Sequence, residues 1–221
     1  MSRSQNDMYE KLRHRVMVGA AIMLASTTIA DAQQSTVTVF PKAQIDQILK
    51  SPPSFYDRTL RILDMGTYQL AVAVAMHEPT SQTTAPAGQK RPRDPKAVAC
   101  GISAIPTGAK MGPSDGISHD DTTETYVVIS GSGTLVTGGQ ILNGTRSAPD
   151  SETSRYLAGP SCLGAIVGDV VTHKISPGDV VVIPAGVPHG WTSVTAKMTY
   201  LTIRPDPKKI LQRGYVNPAI R

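Results

Sequence analysis

The chain has 221 residues, a net charge of +5 and only 5% aromatic residues. That length suits one sizeable core. The weak charge excess shows none of the basic–aromatic interleaving that single-stranded nucleic acid prefers, so nucleic acid is not an expected partner.

The first segment reads as a secretory leader. Lys11, Arg13 and Arg15 precede a largely apolar run from Val16 to Ala30, and Ala30-Asp31-Ala32 follows as a small-x-small cleavage site. Residues 1–32 are therefore predicted to be removed, leaving Gln33 first in an exported, periplasmic or extracellular protein. The alternative is an uncleaved anchor, but the run falls short of the roughly 20 apolar residues of a membrane span. No later segment is apolar enough to span a bilayer, so no stable membrane span is expected after cleavage.

Residues 33–96 are expected to supply a short helix, strands and a mobile loop. Ile45, Ile48 and Leu49 recur at helical spacing within 42–50, between Pro41 and Pro52-Pro53. Residues 68–77 read as a strand. Residues 79–96 are rich in Pro, Thr, Gln and Lys and read as the loop. A strand is predicted over 98–105. Further strands are predicted over 115–119, 124–130, 133–138, 163–167, 169–175, 179–183, 188–194 and 197–204, with a polar inserted loop over 146–160. Their close spacing and Gly/Pro punctuation indicate an antiparallel sandwich or barrel. The tail, 205–221, is predicted to hold a helical turn at 207–213. Cys100 and Cys162 are the two cysteines beyond the leader. Export would permit a disulfide between them, and two buried thiols are the alternative.

Two stretches carry the candidate chemistry. Gly178-Asp-Val-Val-Val-Ile-Pro184-Ala-Gly186-Val-Pro-His189 reads as strand, tight turn and a histidine held at a rigid corner. Upstream, His119-Asp-Asp-Thr-Thr-Glu124 runs on to Gly131. Asp120 to Thr123 form a polar turn, so a hairpin sets Glu124 beside His119. Strand periodicity puts Ile117 on the face of His119, Tyr126 on that of Glu124, and Trp191 and Ser193 on that of His189.

These stretches resemble the two motifs of the cupin superfamily, G-x5-H-x-H-x3,4-E-x6-G and G-x5-P-x-G-x2-H-x3-N. The likeness runs from about residue 97 to 204. Ile117 stands where the upstream motif has its first histidine, and Ser193 where the downstream motif has its final asparagine. The resemblance implies an all-β fold, a single antiparallel jelly-roll-type barrel, with His119, Glu124 and His189 converging inside it as metal ligands. Ile117, Tyr126, Trp191 and Ser193 would line the pocket. Two imidazoles and a carboxylate suit one divalent transition metal, Fe(II) first, with Mn(II), Ni(II) or Zn(II) also compatible. Members of the superfamily often pair through their barrels, so the resemblance also implies a homodimer.

Two functions are consistent with these residues. One is a metal-dependent enzyme, dioxygenase-like or an isomerase or lyase, acting on a small molecule bound in the barrel. The other is a non-enzymatic module that binds or senses a small metabolite; Ile117 favours it by making the pocket more apolar and removing a ligand. Asp120 or Asp121 could replace that ligand, although aspartates commonly serve a turn. The fold hosts many chemistries and does not choose between these functions.

Overall fold

A computed structural model of the chain describes residues 37–51, 56–80, 98–113 and 115–221. The expected leader, and residues 81–96 of the loop expected over 79–96 with its basic residues, lie outside the described residues. The fold is mostly antiparallel β-sheet with one short α-helix. Helix α1 spans Lys42–Lys50, as its apolar spacing predicts. The strands are β1 (Asp57–Asp64), β2 (Gln69–His77), β3 (Ala99–Cys100), β4 (Lys110–Met111), β5 (Gly116–His119), β6 (Glu124–Arg146), β7 (Ser161–Ile175), β8 (Val180–Ile183) and β9 (His189–Asp206).

The sheet order is β1-β2-β9-β5-β7-β6-β3, with β4 on β7 and β8 on β6. A further pairing of β6 with β9 closes the circuit β9–β5–β7–β6–β9. The interior of this curled sheet is an apolar and aromatic core of Tyr126, Val128, Leu135, Ile175, Ile183, Val194, Met198 and Tyr200. Outside it, α1 places Ile48 over Leu60 and Val74, and Leu201 packs at the edge of that cluster. The C-terminal part of β9, from Met198 on, is therefore covered on both faces. Met198, Tyr200, Thr202 and Arg204 point inward, while Leu201 meets the helix layer.

Several elements differ from expectation. Strands predicted separately over 124–138 run on as β6, and those over 163–175 as β7, because glycines of positive φ such as Gly131 (φ 75°) and Gly168 (φ 108°) bend the chain without ending the ladder. Strand β1 lies within the region expected to hold strands, although the sequence assigns it no range. The strand predicted over 98–105 is only Ala99–Cys100. The loop predicted over 146–160 contains a five-residue π-helical turn, Thr153–Leu157. The helical turn expected at 207–213 is a series of turns instead.

Cys100 and Cys162 form a disulfide with Cα atoms 6.0 Å apart. Gly144 lies beside it, where an added Cβ would come within 2.6 Å of Cys162 Sγ. The bridge fastens the short β3 region to β7.

Candidate metal centre

The centre is assembled from three strand ends. His119 ends β5, Glu124 opens β6 and His189 opens β9. The turn before His189 is held by Gly186 at φ 81°, which a residue bearing a Cβ would adopt only with strain. The Gly186 N–H donates to the His119 carbonyl at 2.7 Å, so the turn of one motif is tied directly to the strand of the other.

The three side chains are 5%, 2% and 3% exposed, and their donor atoms all lie within 4.8 Å of one another. Glu124 Oε2 lies 3.2 Å from His119 Nε2 and 3.0 Å from His189 Nε2. Tyr126 donates its hydroxyl to the same oxygen at 3.2 Å.

The outer nitrogens decide the tautomers. His189 Nδ1 is 3.0 Å from the Val187 carbonyl, which can only accept, so Nδ1 carries the proton. His119 Nδ1 is 2.9 Å from Ser161 Oγ, whose single proton goes to the Gly159 carbonyl at 2.9 Å. The serine must then accept from His119 Nδ1–H. As neutral rings, both imidazoles aim Nε2 lone pairs at a carboxylate oxygen. Three lone pairs converging in a buried space repel unless a proton or a metal cation sits among them. The donor set therefore fits a divalent transition ion, and the backing of each ring by an acceptor is the arrangement that orients metal-bound histidines.

Burial pushes the His119 pKa down, with the hydrogen bond and charge of Glu124 opposing it. Burial alone would raise Glu124, but the Arg204 charge, and the two Nε2 atoms whenever they carry protons, hold it well below the usual carboxylate range. Burial, joined by the Glu124 charge, raises the Tyr126 hydroxyl well above its ordinary range. The Tyr200 hydroxyl is likewise raised, chiefly by burial.

Of the predicted pocket residues, Tyr126 joins the centre directly. Trp191 packs on the core, stacks on Tyr126 at 6.3 Å and donates to the Tyr200 hydroxyl at 3.3 Å. Ile117 is half-buried and pairs in register with His189, which puts it on the site's side of β5. Ser193 does not continue this face. Its carbonyl faces Gly133, and the neighbouring Val194 enters the core, because the inward register of β9 changes between Trp191 and Val194. Asp120 and Asp121 do not replace the missing histidine: they pair with Arg146 and Lys208 at the surface. His77 bonds the Tyr200 hydroxyl at 2.9 Å and His173 bonds Thr137 at 2.9 Å.

Three neighbours of the centre, Ser161, Arg204 and Asp57, were missed by sequence reasoning. Arg204, 1% exposed, donates to Glu124 Oε1 and to Asp57. The register Thr125↔Ile203 sets Glu124 and Arg204 next to each other as the following cross-strand pair. The signal available was an arginine in an otherwise apolar strand, but both faces of that strand are apolar enough to hide which one it occupies.

No protein-family model matches the chain, and no curated protein matches it. Among solved structures it is similar to BH2720 from Bacillus halodurans, at 12% identity and a TM-score of 0.36 over 84% of this chain and 92% of that one. It is also similar to hydroquinone 1,2-dioxygenase from Sphingomonas sp. TTNP3, at 8% identity and a TM-score of 0.36 over 83% and 86% of the two chains. A recombinant oxalate oxidase follows at 13% identity and a TM-score of 0.32, over 82% and 73%. These are distant likenesses.

Proposed function

We propose that the chain is an exported single-domain cupin, with residues 97–204 as its barrel. In this reading it is a metalloenzyme acting on a small molecule at an ion held by His119, Glu124 and His189. The observation that carries the reading is the convergence of both Nε2 lone pairs on Glu124 Oε2, at 3.2 and 3.0 Å, with each Nδ1 proton already committed outward. When bound, a divalent transition ion would polarise an oxygen of the substrate or, if it is iron, support oxidation of the dioxygenase type. Isomerase or lyase chemistry needs only the polarisation.

The chain's own residues then position and insulate. Ser161 and the Val187 carbonyl orient the two rings. Tyr126 caps Glu124, and Trp191 and Tyr200 wall the interior. Tyr126 and Tyr200 are held protonated and Glu124 ionised, so none of the three is suited to exchange protons near neutral pH.

Elemental analysis of untagged protein, after exposure to Fe(II), Mn(II), Ni(II) or Zn(II), tests the centre. One ion per chain is expected, lost in His119→Ala, Glu124→Ala and His189→Ala with the strand signal retained. Failure of the wild type to take up any of the four would sink the enzyme reading. Export is tested by the intact mass of secreted material, which should begin at Gln33; a soluble cytoplasmic form retaining Met1 would refute it.

A further inference from the structure

Arg204 stands directly behind the centre. Its guanidinium reaches Glu124 through one nitrogen, Nη2, and the same nitrogen reaches Asp57 at the start of β1. Nε and Nη1 are buried and have no partner. The alanines of β2 make room for this side chain: Ala71 pairs with Arg204, Ala73 with Thr202 and Ala75 with Tyr200.

Two consequences follow for Glu124. Its oxygens are already divided, Oε2 to the imidazoles and Tyr126, Oε1 to Arg204. Turning Oε1 toward the ion would break a charge-assisted bond between buried groups and strand the guanidinium, which is strongly unfavourable. Glu124 thus offers one oxygen. The second consequence is electrostatic. Arg204 offsets one of the two carboxylates, so a divalent ion with neutral imidazoles leaves the buried cluster with excess positive charge. An uncompensated buried charge is costly, and an anion in the ion's open positions cancels it.

We infer that Arg204 is a positioning residue that confines Glu124 to one-oxygen coordination and, by its fixed charge, makes the centre take an anionic oxygen ligand such as a carboxylate or enolate. The inference rests on the three-ligand reading above and goes beyond it by assigning the charge class of what binds.

The test uses the full chain loaded with Co(II), whose visible bands report coordination number, titrated with azide as the anionic probe and imidazole as the neutral one. Wild type should give a saturable azide shift. Arg204→Gln should keep the cobalt, raise the azide Kd about tenfold or more, and leave the imidazole Kd within about twofold. Asp57→Asn removes the opposing carboxylate and should tighten azide several-fold. A merely structural role would not move the two variants in opposite directions. An unchanged azide Kd in a cobalt-loaded Arg204→Gln overturns the inference and leaves the ligand set standing. If Arg204→Gln fails to fold by circular dichroism, Asp57→Asn decides, and unchanged or weaker azide binding there overturns it. A wild type that takes up no Co(II) overturns both readings.

Discussion

His119 Nδ1 and Ser161 Oγ lie 2.9 Å apart, joining the last residue of β5 to the first of β7 as a register pair. The serine hydroxyl donates its hydrogen bond to the Gly159 carbonyl, so toward the ring it can only accept. It therefore selects the tautomer that leaves Nε2 free. Ser161→Ala should lower metal affinity roughly 10- to 100-fold, the usual effect of removing such an orienting partner. Competition with a metal-sensitive chelating dye measures it. An unchanged affinity would mean the serine serves packing alone.

Ile117 offers the converse experiment. It is paired with His189 and lies on the site's side of β5. Ile117→His should add a third imidazole and tighten metal binding about tenfold or more. It should also weaken azide binding to the Co(II) form by filling an open position. Isothermal titration reads the first effect and the visible spectrum the second. A histidine there that changes neither would show that position 117 does not reach the ion.

The disulfide closes a loop with a sequence separation of 62. Its loss in Cys100→Ser/Cys162→Ser should lower unfolding free energy by about 4 kcal/mol on loop-entropy grounds. Urea unfolding of both forms measures this. Because Cys162 adjoins Ser161, the double variant should also bind metal more weakly. Two alkylatable thiols in unfolded, unreduced wild type would show that the bridge does not form.

The metal-free protein should lose stability on acidification. The His119 pKa is lowered from 6.5, so near and below that pH the unfolded chain binds more protons than the folded one. Its contribution is full above 6.5 and is lost as pH falls toward the folded value. Glu124, lowered from 4.5, adds a second loss of the same sign at lower pH, full above 4.5 and removed on approach to its folded value. Urea midpoints should therefore fall as pH drops from neutrality through the histidine range, while at lower pH Asp57, raised by burial, acts against the loss from Glu124. His119→Gln should flatten the upper part of that slope; an unaltered slope would refute the assignment. His77, also lowered by burial, contributes with the same sign.

The local signals survive in the folded protein. The spacing of Ile45, Ile48 and Leu49 determined α1, and the Pro184–Gly186 turn determined the corner that holds His189. The polar turn after His119 set Glu124 at the start of β6. These features depend on neighbours in the chain, so periodicity and turn chemistry suffice to read them. Arg204, Asp57 and Ser161 join the centre only through strand pairing across sequence separations of 80, 147 and 42 residues. Period-two alternation from His189 also breaks before Val194, which enters the core, so the face of Ser193 could not be read from spacing alone. The candidate ligand set was thus written in local motifs. The charge behind it, the tautomers of its histidines and the pairing of its cysteines were decided by which strands meet.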